Sequence, residues 1–328
     1  RYGSPVGFFP LRQALANYLV RQRGVLCTPQ QVVIVSCAQQ ALDILARLLL
    51  SADDKIVVET PGYNDAYRLL QAHGVQLHPL HVDEHGLPVS ALPEGDRIRA
   101  AFVTPSNQFP RGGSLPLERR LKLLQWAVEQ KALVFEDDYD SELRYDGRPL
   151  SALQGLDKSG HVVYFGTLSK VLFPALRLGY IVLPPPLLTP FTKTLALVDR
   201  GAPTLTQAAV ADFIAEGHFE RHLRRLRLAY GERRQALVNI LDQTLANEAT
   251  FSRTPAGLHI MIHLHAACDE AEVIQRAAAA GVGIYPGAPY YVQKPAPPSI
   301  LLGFSGLNSE QINEGVHRLA DVIPRCHS

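Results

Sequence analysis

The chain has 328 residues, 47% of them hydrophobic, and its 32 Lys and Arg nearly balance 31 Asp and Glu, for a formal net charge of +1. This length buries a large core, as one big domain with a satellite or as two domains. The small net charge excludes a global field for nucleic acid or membrane, so small molecules and protein are the expected partners. Cys27, Cys37, Cys268 and Cys326 form no C-x-x-C pair, which argues against a disulfide framework or zinc site and for a reducing cytoplasm. No apolar run approaches membrane-spanning length, and no signal-peptide pattern opens the chain. Residue 1 is Arg and the only methionine is Met261, so an upstream piece is expected to have been removed.

Leu11, Ala14, Leu15, Tyr18 and Leu19 recur at helical spacing behind Pro10, which predicts a helix over Pro10 to Arg21. Gln31 to Val35 reads as a strand, and the turn Ser36-Cys37-Ala38-Gln39 opens a helix whose free N–H groups favour an anion. Strands follow at Lys55 to Val58, Val75 to Leu80, Arg99 to Thr104 and Leu133 to Phe135, separated by helical patterns ending near His73 and spanning Leu117 to Lys131. The strand at Leu133 delivers Glu136-Asp137-Asp138-Tyr139 at its C-terminal end. With Val162 to Phe165 and Leu178 to Leu183, residues 31 to 183 read as a mostly parallel sheet wrapped by helices. Pro184-Pro185-Pro186 breaks the pattern, and helices run to about Asn247. Three short strands are then expected at Leu258 to Leu264, Val282 to Tyr285 and Ser299 to Phe304, with a helix from Cys268 to Ala280, as a small α+β domain. The expected division is 1–183 (with an opening segment 1–25), a helical connection over 184–247, and 248–328.

The chemistry concentrates in Gly166-Thr167-Leu168-Ser169-Lys170, followed seven positions later by Arg177. A strand that ends in small and hydroxyl residues presents one lysine suited to imine chemistry, with a guanidinium nearby to hold a phosphate. In an open α/β sheet, ligands bind beyond the carboxyl ends of the strands, so Ser36 to Gln39, Asp137 to Tyr139 and Thr167 to Lys170 should converge.

These motifs, with Tyr2-Gly3, Gly7, Pro10-Leu11-Arg12, Glu59-x-Pro61-Gly62-Tyr63 and Thr104-Pro105-Ser106-x-Gln108-Phe109-Pro110, resemble the aspartate-aminotransferase fold of pyridoxal-phosphate enzymes (fold type I). The similarity is greatest to the C-terminal domain of MocR/GabR-type regulators of the GntR superfamily, and it covers essentially the whole chain. It implies pyridoxal 5'-phosphate as cofactor, carried by Lys170 as a Schiff base, with Asp137 against the pyridine nitrogen. Tyr139 would bond the ring's phenolic oxygen and Tyr63 would stack on the ring. The N–H groups of Cys37, Ala38 and Gln39, together with Thr167 and Arg177, would hold the phosphate. Tyr2 resembles a tyrosine that reaches the phosphate from a neighbouring subunit, which implies a homodimer with shared sites.

Three functions fit this resemblance. One is the effector-sensing domain of a transcription regulator, responding to a small amine, an amino acid or pyridoxal phosphate itself and touching DNA only through a missing N-terminal winged-helix domain. Another is a free-standing aminotransferase acting between an amino acid and a 2-oxo acid. The third is a pyridoxal-phosphate-binding scaffold with no turnover and no DNA partner. Leu301 stands where the enzymes place the arginine that forks onto the substrate carboxylate, and Phe109 where they place an asparagine; both departures point away from a standard transaminase. Cys37 replaces a usual glycine, which its backbone tolerates only at negative φ. His259, His263 and His265 share one face of a strand, as a metal site or, more simply, as packing. Arg221, Arg224, Arg225, Arg227, Arg233 and Arg234 form a basic helical run, read as a solvated face or subunit contact ahead of a DNA contact.

Overall fold

The computed structural model describes residues 3–95, 97–147, 150–265, 269–294 and 296–323. In chain order the elements are α1 (Phe9–Arg23), β1 (Val32–Val35), α2 (Ala38–Leu49), β2 (Lys55–Thr60), α3 (Asn64–Ala72), β3 (Gln76–His81), β4 (Ile98–Val103), α4 (Leu117–Gln130), β5 (Leu133–Asp138), β6 (Val162–Thr167) and β7 (Gly179–Val182). They continue as α5 (Pro185–Val198), α6 (Thr204–Ala215), α7 (His218–Thr244), β8 (Ala249–Phe251), β9 (His259–Leu264), α8 (Glu270–Ala279), β10 (Tyr285–Pro286), β11 (Ser299–Gly303) and α9 (Ser309–Val322).

Seven strands form one sheet in the order β1-β7-β6-β5-β4-β2-β3, parallel except for β7, which runs antiparallel to both neighbours. Its central strands are buried along nearly their whole length, as expected of a sheet covered by helices on both faces. One core lies between the sheet and α2, α3 and α5, around Phe102, Phe135, Phe165 and Phe191. A second gathers Leu11, Leu15, Tyr164, Tyr180, Phe219 and Leu223 beneath α1, α6 and the start of α7. The other sheet is antiparallel, in the order β10-β11-β9-β8, and packs Ile260, Ile262, Ile300 and Leu302 against α7 and α9. The Lys55–Thr60 and Leu133–Asp138 strands each run further than their apolar stretches predict, because the acids at their ends stay in the ladder. The sequence reading missed β8, a three-residue strand with one buried residue and no alternation to betray it. Among the described residues no helix is long and apolar enough to cross a membrane.

Local chemistry explains the element ends. Gly24 closes α1 in the left-handed conformation (φ 63°), and Asn308 with Gln311 forms a reciprocal capping box at α9. Pro185 and Pro186 do not merely interrupt the chain: they form the first turn of α5, where a missing N–H costs nothing.

α1 is tied to the sheet by a buried ion pair. Arg23 donates from Nε to Asp138 Oδ2 at 2.9 Å and from Nη2 to Oδ1 at 3.1 Å, and Nη2 also reaches Ser106 Oγ at 2.8 Å. Asp138 accepts further bonds from the Tyr164 hydroxyl at 2.5 Å and Ser141 Oγ at 2.9 Å. Both partners are almost wholly buried. Arg23→Met leaves Asp138 charged and unpaired in the core, so urea unfolding should show a loss of about 3–5 kcal/mol; a loss under about 1 kcal/mol would show that the pair is not structural.

Candidate cofactor site

Register brings the predicted groups to one edge of the large sheet. Thr167 at the end of β6 pairs with Gly179 of β7, and Gly179 pairs with Val35 at the end of β1. The α2 turn, Thr167 and the loop carrying Lys170 and Arg177 are therefore neighbours. Gly166 is glycine by necessity, because a Cβ there would lie 2.2 Å from the Tyr180 ring. Arg177 Nη2 lies 3.7 Å from Cys37 Sγ. Cys37 is the N-cap of α2 with φ −171°, extended backbone open to any residue, so the replacement of glycine is harmless. Its side chain caps nothing, and the N–H groups of Ala38 and Gln39 meet no acceptor among the described residues. Free donors at the head of a helix beside an exposed guanidinium make a cup for a phosphate-like dianion.

Asp137 sits below this cup at the end of β5, only 7% exposed. Burial, and after it the charge of Asp138, pushes its carboxyl up to about 7; Lys170 is close enough to pull it back, and Glu59 adds to the rise. Among the described residues none donates a hydrogen bond to it. A buried carboxylate without a donor is matched to a ligand that brings an N–H or a positive charge. Lys170 itself is exposed on the loop after β6. Tyr63 is half-buried beside Gln39 and Asp137; burial foremost raises its hydroxyl pKa. The Tyr139 hydroxyl accepts from Asn107 Nδ2 at 3.1 Å, and the same amide donates to Asp140 at 2.8 Å.

Phe109 is the hub of the wall around these groups. Its ring makes edge contacts with Tyr63 (centroids 6.0 Å apart), Tyr139 (5.6 Å), His259 (5.3 Å) and Tyr290 (5.3 Å). Its N–H donates to Thr104 Oγ1 at 3.0 Å, and that hydroxyl donates to buried Glu59 at 2.6 Å. Tyr290 comes from the loop after β10, and its carbonyl accepts from Gly62 at 2.9 Å, so the smaller sheet's segment is bonded to the mouth of the site. Burial, assisted by Lys170, holds His259 down at about 4, although the Pro110 carbonyl accepts its N–H; it is a neutral imidazole at pH 7. Leu301 lies opposite Met261 in the β9–β11 ladder and forms with Tyr291 a small buried apolar cluster that Tyr290 packs against.

Of the predicted residues, Lys170, Asp137, Tyr139, Tyr63, Cys37, Ala38, Gln39, Thr167 and Arg177 gather at this edge, while Tyr2 lies outside the described residues. Among the described residues no three potential ligands could hold a metal: His263 faces Arg111, and His265 Nδ1 bonds the Asn247 carbonyl. Half of the arginine run is not a solvated face. Arg227 donates to the Glu142 carbonyl, Arg233 to that of Ser305, and Arg234 is buried. Sequence reasoning missed Asn107, His259 and Tyr290 as site residues. Asn107 alone left a sign, as an amide between the serine and glutamine of a Pro-rich loop; His259 comes from β9 and Tyr290 from the loop after β10, both far along the chain.

The family described as aminotransferase class I and II matches residues 1–319, and the chain belongs to that family. Its relatives include regulators: it is 41% identical to the probable rhizopine catabolism regulatory protein MocR of Rhizobium meliloti, over 95% of this chain and 63% of that protein. It is 32% identical to the HTH-type pyridoxine biosynthesis transcriptional regulator PdxR of Corynebacterium glutamicum, over 97% of this chain and 68% of that protein. The chain thus spans about two thirds of the length of these regulators. Its fold matches kynurenine aminotransferase of Pyrococcus horikoshii, solved in complex with PMP, at a TM-score of 0.93 and 30% identity, covering 99% of this chain and 82% of that one.

The raised acids carry a pH signature. Asp137 and Glu59, each held near 7 chiefly by burial, keep protons in the folded state that the unfolded chain releases from about pH 4 upward. Stability of the cofactor-free chain should therefore fall as pH rises from 5 to 7 and level off above. Asp137→Asn should abolish its share of that fall, about 1–4 kcal/mol, in chemical denaturation followed at pH 5 and pH 8.

Proposed function

We propose that this chain is the effector-sensing and dimerisation domain of a MocR/GabR-type transcription regulator, with pyridoxal 5'-phosphate as cofactor and DNA contacted only through a winged-helix domain outside this chain. The carrying observation is the pairing of the gathered cofactor groups with an apolar cluster at Leu301, where an amino-acid enzyme of this fold needs a cation. The residues present fit the cofactor: the cup of Cys37, Ala38, Gln39, Thr167 and Arg177 suits its phosphate, and Asp137 its protonated pyridine nitrogen. Tyr139 suits its phenolic oxygen and Tyr63 its ring face. When bound, the cofactor supplies an aldehyde carbon that accepts amines and a ring that withdraws electrons. Lys170 provides the amine that holds it, and Asp137 keeps the ring nitrogen's proton by remaining ionised against it.

The surface beside the cup supports a homodimer. Leu197 and Leu205 are 88% and 85% exposed. Between them Asp199 accepts from Ser36 and Gln40 at the head of α2. Bare leucines next to a binding cup are a surface for a second copy to cover. The effector is a small amine, an amino acid or the cofactor itself, in the cytoplasm. The second reading, an aminotransferase acting on an amino acid and a 2-oxo acid, is favoured by the juxtaposition of Lys170 and Asp137 and by the likeness to an aminotransferase structure.

Borohydride reduction of the cofactor-loaded chain should fix the cofactor on Lys170, as read by peptide mass, and Lys170→Ala should lose that adduct; a persisting adduct at this site would sink the assignment. Incubation with amino acids and 2-oxo acids should give no repeated turnover, and sustained keto-acid production would favour the enzyme. Codons upstream of Arg1 should encode a helix-turn-helix.

A further inference from the structure

A cleft separate from the cofactor groups lies where the loop bearing Phe109 meets the β8 edge of the smaller sheet. It encloses about 190 Å3, between Glu84 and Arg111 on the large-sheet side and Thr250, Ser252 and His263 on the other, and no residue assigned to the cofactor lines it. Arg111 supplies the cation. Its Nη1 donates to the Val82 carbonyl at 2.8 Å, and the guanidinium makes no other hydrogen bond and no ion pair among the described residues. It is near enough to Tyr291 and to His263 to lower the pKa of each, after burial has set the main shift.

The opposite side is polar and carries no charge. Thr250 pairs with His263 across the β8–β9 ladder, and Ser252, two residues on, shares Thr250's face. Burial, and after it Arg111, holds His263 at about 4, so its imidazole is neutral at pH 7, and its Nε2 is buried with no partner among the described residues. Glu84 is the one acid lining the cleft, with a side chain 82% exposed. One free guanidinium, with an acid at the rim, suits one negative charge and not two. Size decides where a ligand can sit. The hollow that Arg111 shares with Asn107 and His259 encloses only about 10 Å3, as does the one that Arg144 lines beside Asn107 and Asp140, and each is too small for anything larger than a water.

We infer that this cleft is a second ligand site, taking a small hydroxylated monocarboxylate whose carboxylate meets the Arg111 fork and whose hydroxyl groups meet Thr250 and Ser252. Such a guest joins the large-sheet side to the smaller sheet. Arg111 stands two residues after Phe109, and its backbone N–H donates to Gln108 Oε1 at 3.1 Å, so a guest that holds the guanidinium bears on the loop presenting Phe109 to the cofactor groups.

The test titrates lactate and gluconate into the chain by calorimetry, each against its uncharged amide, lactamide and gluconamide. At least one of the acids should bind saturably at about 1 mM or tighter, and about tenfold or more tighter than its amide. Arg111→Gln, which removes the cation, should weaken that acid about tenfold or more. Thr250→Tyr, which fills the cleft from an exposed strand position, should abolish its binding. Should Arg111→Gln not fold, Thr250→Tyr decides. No saturable binding of either acid, amides that bind as tightly, or full binding retained by either folded variant overturns the site. The titrations are run with and without pyridoxal phosphate, so a chain that takes up no cofactor fails the preceding assignment and is still tested for this one.

Discussion

The pairing of Arg23 with Asp138 is the constraint on which the site depends. Three acids end β5 in succession, and burying them together would be ruinous without compensation. Asp138 points toward α1, where a guanidinium fork, a tyrosine and a serine satisfy it. Glu136 points the same way along the strand and takes the backbone N–H groups of Leu153 and Gln154. Asp137, between them, necessarily faces the other side of the sheet. Alternation along one strand thus separates two acids spent on structure from one left without a donor for a ligand.

The site is accordingly charged at one end and apolar at the other. Beside exposed Lys170, Asp137 is an ionisable group whose burial is unfavourable until a partner arrives; around Phe109 and Leu301 the wall is complete in itself. Because the same loop, from Thr104 to Gly113, presents Phe109 to the site and anchors to Glu59 and Pro61 through Gln108, the position of the wall is fixed by buried polar bonds rather than by surface contacts.

Much of the large sheet was legible because its strands are β-branched runs closed by Gly, Pro or hydroxyl residues, and because polar residues at strand ends are conspicuous after apolar ones. Lys170, Asp137 and the α2 turn were readable for that reason. The wall was not. His259 and Tyr290 reach Phe109 from places 150 and more residues further along the chain, and nothing local distinguishes an aromatic in a site from one in a core. Nor does spacing reveal that Arg227, Arg233 and Arg234 turn inward: a helix of 27 residues crossing two cores changes its buried face along its length.

That helix has a mechanical meaning. α7 contributes Phe219 and Leu223 to the core beneath the large sheet and Leu237 to Leu241 to the core of the smaller one, without an interruption between them. Its 27 residues span about 40 Å. A rigid rod of that length turns a tilt of about 5° at one end into a displacement of about 3.5 Å at the other. The segment carrying Tyr290 is bonded at Gly62 to the mouth of the site, so the smaller sheet is held both by a short hinge close to the ligand and by the far end of a long arm. A molecule the size of a single side chain, seated against Tyr290, works on the short side of that lever.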